Sequence, residues 1–250
     1  MSGGPGGQES YRREARITAA LPNAVPAPQL LASMEPDRWV VLSFEDIVGS
    51  PPVLPWQPGE LSRVFDAFSI LASILTPSPI PAPPATVPGG VNAWALLCAD
   101  PSALDELPGL DAWARRNLEP LSDVASTLHS AHQGPTLLHS DIRADNILLT
   151  AEGVVFVDWS HAQVGAPWVD VVYFLPSVAM QGGGDPQMLF WNHPVAHGAD
   201  LRAVCSVLAS LAGFFIYGAT QKPSPGLLTL RRFQLAQGVE ALAWLRRMLV

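Results

Sequence analysis

The side chains best suited to chemistry lie in one stretch, L-L-H-S-D-I-R-A-D-N-I-L-L-T-A-E-G-V-V-F-V-D-W, residues 137–159. Within it, residues 147–150 and 154–157 are short apolar runs separated by Ala151, Glu152 and Gly153, the pattern of a tight β-hairpin. Folding at Glu152 sets Asn146 opposite Asp158 at the mouth of that hairpin. An amide oxygen facing a carboxylate is a hard-oxygen half-site, which suits Mg²⁺ with water and phosphate completing the shell. Asp141 lies in the loop before Asn146, placed to accept a proton from a hydroxyl while the metal holds a phosphate. The plain alternative makes Asp141, Asp145 and Asp158 solvated loop acids. It leaves unexplained why an aspartate follows V-V-F-V directly at a strand end.

Positioning those groups needs a scaffold, and the chain supplies a recognisable order. Residues 1–10 are Gly-rich and are expected to be a disordered leader. The run 11–21 reads as a helix that Pro22 ends, and 29–33 with 39–44 read as a hairpin. G-S-P-P-V-L-P-W-Q-P-G-E (49–60) reads as a linker. A helix is expected over 61–75, where Val64, Phe65, Phe68, Leu71 and Leu75 share a face. The Pro-dense stretch 76–90 reads as an extended connection inside a lobe. Helices are expected at 91–98, 102–107, 110–133, 169–181, 185–192, 199–218 and 226–248. The expectation is an α+β, two-lobed molecule: a small nucleotide-type lobe over 11–48, then a larger, mainly helical lobe over 61–250.

Composition narrows the function. The formal charge is −8, with 14 basic and 22 acidic residues, which argues against a general nucleic-acid binder. The basic residues are Arg apart from Lys222. Cys98 and Cys205 make no disulfide framework, and the N-terminus lacks the apolar core of a signal peptide, so a cytoplasmic location is expected. The uncharged run 203–219 reaches the lower length limit for a membrane span. Its Ser206, Ser210, Gly213 and Tyr217 favour a buried core helix, so no membrane is expected as a partner. His129, His132, His139 and His161 raise a metallohydrolase alternative; the aspartates and Asn146 are better accounted for by phosphate chemistry.

The spacing H-x-D-x-x-x-x-N, then an aspartate after a short hairpin, is that of a kinase-type catalytic loop with its metal aspartate. H-S-D-I-R-A-D-N-I-L-L followed by V-V-F-V-D-W-S-H-A-Q-V-G-A-P-W-V-D resembles the aminoglycoside phosphotransferase family, relatives of choline and homoserine kinases. The family's usual signature is H-G-D-L-x-x-x-N, a strand ending in D-W or D-F, and a downstream G-x-P-x-x-D. The resemblance implies a protein-kinase-like fold, ATP and Mg²⁺ as cofactors, and a small-molecule hydroxyl as acceptor. It implies Asp141 as catalytic base and Asn146 and Asp158 as Mg²⁺ ligands. Asp170 is then the aspartate that anchors the loop through backbone N–H groups, and His139 and Trp159 are packing supports. Arg143 occupies a place where protein kinases carry a phosphate-contacting lysine; a surface arginine is the equal alternative.

The same resemblance reaches the first lobe. Y-R-R-E-A-R is similar to the family's first-lobe helix, whose glutamate, here Glu14, pairs with a lysine on a preceding strand. V-V-L-S-F-E-D-I-V-G is similar to the strand and hinge that bind adenine, making the backbones of Glu45 and Ile47 the expected contacts. The departure is that only ten residues precede Tyr11 and no lysine lies near Glu14. Gly3-Gly4-Pro5-Gly6-Gly7 lacks the flanking strands and lysine of a phosphate loop. The first lobe therefore reads as truncated. Either the true start lies upstream, or the chain is a weakened or non-catalytic nucleotide-binding relative.

Overall fold

The computed structural model describes residues 5–86, 88–105, 107–223 and 226–249. The chain divides into two compact units: residues 1–84 with 134–170, and residues 85–133 with 171–250.

The first unit opens with helix α1 (Pro5–Ala20). Residues 5–10, expected to belong to a disordered leader, form its first turns; residues 1–4 lie outside the described residues. Proline is compatible with a first helical turn, where its missing N–H is no loss. The early turns are also tied down, Gln8 donating to the Arg38 carbonyl at 2.6 Å and Glu9 pairing with Arg16 at 2.9 Å. Strands β1 (Leu30–Met34) and β2 (Val41–Phe44) follow as an antiparallel pair. Helix α2 (Pro58–Ile74) starts with proline in its first turn and buries Leu61, Val64, Phe68 and Leu71 on one stripe.

Residues 49–60, read from their prolines as a linker, are held within this unit. Ser50 bridges Leu149 through two backbone hydrogen bonds of 3.1 and 2.8 Å, and Val53 N–H donates to Glu60 Oε2 at 2.8 Å.

The returning segment, 134–170, contributes β3 (Thr136–Leu138), β4 (Ile147–Leu149), β5 (Val154–Phe156) and β6 (Gln163–Gly165). β4 pairs with β5 and β3 with β6, both antiparallel. Neither β3 nor β6 was expected, because three residues are too few for a period-2 pattern to show. Gly134 is required beside them: a Cβ there would lie 2.4 Å from the Ala166 Cα. Phe156 on β5 packs against Phe68 on α2, ring centroids 5.9 Å apart.

The second unit is helical in its described residues: α3 (Ala93–Ala99), α4 (Ala112–Arg116), α5 (Leu118–Ser126), α6 (Leu128–Ala131), the body of α7 (Val169–Met180), α8 (Pro186–Trp191), α9 (Leu201–Thr220) and α10 (Leu230–Leu249). The single helix expected over 110–133 is broken at Asn117 and Thr127, and 101–104 is one 3₁₀ turn. Among the described residues, α9 is the one helix long and apolar enough to cross a membrane. Most of its residues are buried, and it packs against α3, α5, α6 and α10. Trp94 closes this core, its indole N–H donating to the Ala209 carbonyl at 2.7 Å.

Candidate active site

The loop between β3 and β4 carries His139, Asp141, Arg143 and Asn146, and one buried group shapes it. Asp170, in the first turn of α7, accepts the N–H of His139 with Oδ2 and that of Ser140 with Oδ1, both at 2.8 Å. Burial raises its pKa to about 6, and these two hydrogen bonds oppose the rise. Ser140 has φ of 66°, in the left-handed region, which turns the chain between His139 and Asp141.

His139 is fully buried and 4.7 Å from Trp159, ring to ring. Asp141 N–H donates to its Nδ1 at 3.3 Å, so Nε2 carries the proton and donates to the Val157 carbonyl at 2.9 Å. The imidazole is therefore neutral, and burial lowers its pKa to about 4. Trp159 is also buried, its Nε1 donating to the Phe156 carbonyl at 3.0 Å.

Asp141 and Asn146 are brought together. Asn146 Nδ2 donates to the Asp141 carbonyl at 2.8 Å and faces Asp141 Oδ2 at 3.4 Å. That orientation turns Asn146 Oδ1 away from the loop. Burial raises the pKa of Asp141, while Arg143 and His161 hold it back. Arg143 lies 3.7 Å from Asp141 Oδ1 and forms a two-pronged pair with Asp145 at 3.0 and 2.9 Å.

The hairpin register differs from expectation by one residue. Ile147 pairs with Phe156 and Leu149 with Val154, so Asn146 faces Val157, whose N–H donates to the Asn146 carbonyl at 3.0 Å. The cause is the turn: Thr150 N–H bonds the Gly153 carbonyl at 2.9 Å, which centres the bend between Ala151 and Glu152. Asp158 reaches the site another way. Its φ of 65° swings the chain out of the strand, and Ser160 Oγ donates to its Oδ1 at 2.6 Å. No hydrogen bond occupies its Oδ2 among the described residues.

A cavity of about 270 Å³ adjoins these groups, lined by Glu14, Thr18, Phe44, Glu45, Asp46, Ile47, Leu148, Val157, Asp158 and Trp159, with Pro28. Glu45 N–H closes the β1–β2 ladder on the Gln29 carbonyl at 2.9 Å. Beyond it, the Glu45 carbonyl and the Ile47 N–H have no protein partner among the described residues, leaving one acceptor and one donor at the cavity edge. Glu14 has no cationic partner among the described residues. Arg12 pairs with Glu35, Arg16 with Glu9, and Arg13 donates to the Ala162 carbonyl. Burial, with the charge of Asp158 adding to it, raises the pKa of Glu14 to about 7.

Thr18 and Ser160 belong to the site and no motif announced them. Thr18 could have been found from helical spacing, four residues after Glu14. The four histidines do not form a metal centre: the described residues contain no group of three or more His, Cys, Asp or Glu able to hold one.

A model of the phosphotransferase enzyme family (APH) matches residues 4–193. The chain belongs to that family. Its fold is kinase-like, as solved structures also indicate. Choline kinase LicA from Streptococcus pneumoniae is 15% identical, with a TM-score of 0.58 over 96% of this chain and 83% of its own. A choline/ethanolamine kinase family protein from Mesorhizobium loti is 18% identical, with a TM-score of 0.55 over 96% of this chain and 80% of its own. A thermostable aminoglycoside phosphotransferase APH(4)-Ia variant, in ternary complex with AMP-PNP and hygromycin B, is 16% identical, with a TM-score of 0.55 over 95% and 82%. No curated protein sequence matches the chain.

Proposed function

We propose that this phosphotransferase moves the γ-phosphoryl group of ATP to a hydroxyl of a small molecule in the cytoplasm. The observation that carries the reading is the hydrogen-bonded pair Asp141–Asn146, in a loop pinned by Asp170 beside the cavity that Asp158 lines. The relative crystallised with AMP-PNP and hygromycin B supports nucleotide use and a small-molecule acceptor.

Each residue has a role that follows from its surroundings. Adenine meets the Glu45 carbonyl and the Ile47 N–H, a donor–acceptor edge that complements its own. Asp141, its pKa raised by burial, orients the acceptor hydroxyl and takes its proton. Asn146 Oδ1 and Asp158 Oδ2 are oxygens without a protein partner, a donor set suited to Mg²⁺. The ion, when bound, offsets charge on the transferring phosphate. Arg143 is held beside Asp141 and Asp145, where it offsets the charge of both. His139, Trp159 and Asp170 hold the geometry without touching reactants.

Calorimetry of Mg·ATP binding to the 250-residue chain, with Asp158→Ala as control, tests this. Metal-dependent binding that the variant loses is the expected outcome; equal binding by both refutes the assignment of Asp158. A second reading, a nucleotide-binding pseudokinase without transfer, is favoured by one observation: no Lys or Arg lines the cavity. Binding without turnover across an acceptor screen would select it.

A further inference from the structure

A cavity of about 720 Å³ in the second unit has no part in the proposed phosphoryl transfer. It lies where α5 and α6 meet the start of α9 and the last residues of α10. That volume is in the range of small-molecule sites, which join an apolar lining to a few polar groups. Cys205 marks its floor, beside Val124, Ala131, Ala203 and Met248. The thiol is 5% exposed, free, and without a hydrogen-bond partner among the described residues. Burial raises its pKa, and the charge of Asp200 adds to the rise with no cation offsetting it. Cys205 is therefore a neutral, apolar-type surface rather than a nucleophile, and the potential over it is negative.

The exposed rim is rich in hydrogen-bond acceptors. Asp200 caps α9 with Oδ1, which accepts the Ala203 N–H at 2.9 Å, and its Oδ2 has no protein partner among the described residues. The Asp123 carboxylate has none either. Ser130 donates to the Thr127 carbonyl at 3.0 Å, and Thr127 donates to the Val124 carbonyl or to Ser206 Oγ, so both hydroxyl oxygens remain acceptors. Among the lining residues Arg202 is the one cation, against two carboxylates. A metal ion would meet the carboxylates and leave the apolar floor in water. An uncharged apolar ligand would cover the floor and leave the carboxylates desolvated and unmatched. A primary ammonium on an apolar body satisfies both.

We propose that this cavity binds an amphipathic primary amine, its ammonium held by Asp123, Asp200 and the hydroxyls of Thr127 and Ser130, its apolar body against Val124, Cys205 and Met248. The three N–H donors of the head match acceptors that the protein leaves open. Arg202 opposes the cation and so limits its affinity.

Calorimetry on the full chain tests this with three probes of equal length: octylamine, protonated at neutral pH, octanol and octanoate. The expected result is one octylamine per chain, with octanol and octanoate weaker by about tenfold or more. Asp123→Asn combined with Asp200→Asn should weaken octylamine by about tenfold or more. Asparagine caps a helix about as well as aspartate, so the melting temperature of that variant should stay close to wild type. That separates a lost charge from a lost fold. Arg202→Gln should bind octylamine severalfold more tightly, because the opposing charge is gone. Equal affinity for the three probes overturns the proposal, as does equal octylamine affinity in wild type and the doubly substituted variant. So does the absence of octylamine binding by wild type at millimolar concentration.

Discussion

The loop that carries Asp141 and the β1–β2 hairpin belong to the same unit and are secured by different means. In the loop, Asp170 and His139 are buried and each holds the backbone by hydrogen bonds of about 2.8–2.9 Å, with Trp159 packed behind. The hairpin instead exposes Leu31 (64%), Met34 (58%) and Trp39 (50%), and Arg12 of α1 reaches Glu35 in a solvent-accessible ion pair. Exposed pairs contribute little, because water and salt screen them. The difference separates what must be precise from what need only be present. In the proposed reaction the loop would aim side chains at reacting atoms, whereas β2 and the residues after it would offer backbone groups to a flat ring.

Four variants probe that contrast, beginning inside the loop. Asp141→Asn should lower turnover about 10²–10⁴-fold, the usual worth of general acid–base catalysis, in an acceptor assay. Its melting temperature should hold or rise, since the lost carboxylate is a desolvated one. Undiminished turnover would remove Asp141 as the base. Asp170→Ala should cost about 2–5 kcal/mol in denaturant unfolding, because two backbone donors lose their acceptor inside the protein. A loss within 1 kcal/mol (an order-of-magnitude threshold) would mean that the loop does not depend on this anchor.

A titration sharpens the comparison further. The pKa of His139 is about 4 in the folded protein against 6.5 ordinarily. Below 6.5 the unfolded chain takes up a proton that the folded one refuses, so this histidine's contribution falls with pH until about 4. The stability advantage of wild type over His139→Gln should therefore narrow by up to about 3 kcal/mol between those pH values. A constant difference would show that the imidazole is charged in the fold. On the hairpin, Leu31→Lys with Met34→Lys should change stability by less than about 0.5 kcal/mol. A large loss would reveal that this face is covered in solution.

The sequence made the loop readable because its chemistry needs particular residue types at fixed intervals. His139, Asp141, Asn146 and Asp158 could be named from spacing, and Asp170 and the backbones of Glu45 and Ile47 from the family resemblance; the structure brings them around one loop and one cavity. Their exact facing was less legible. A single hydrogen bond, Thr150 to Gly153, shifts the hairpin register by one residue, and a left-handed backbone at Asp158 compensates. No side-chain pattern encodes either. β3 and β6 were invisible because their pairing is a tertiary event between segments too short to show alternation. The start of α1 was missed because its glycines obscure a turn that Gln8 and Glu9 stabilise through distant and local partners. Thr18 was missed for a related reason: nothing distinguishes a threonine among apolar neighbours until the helix shows which way it faces.

The left-handed turn at Ser140 has a consequence for how this loop can vary. The family's usual signature has glycine at that place, where φ of 66° carries no penalty. A serine sits there under strain of about 1 kcal/mol, held by the N–H that it gives to Asp170. Position 140 is thus a narrow gate in sequence space. Glycine passes through it with relief, and asparagine or aspartate passes with little loss. Any β-branched residue is shut out, however well it would suit the neighbouring strand.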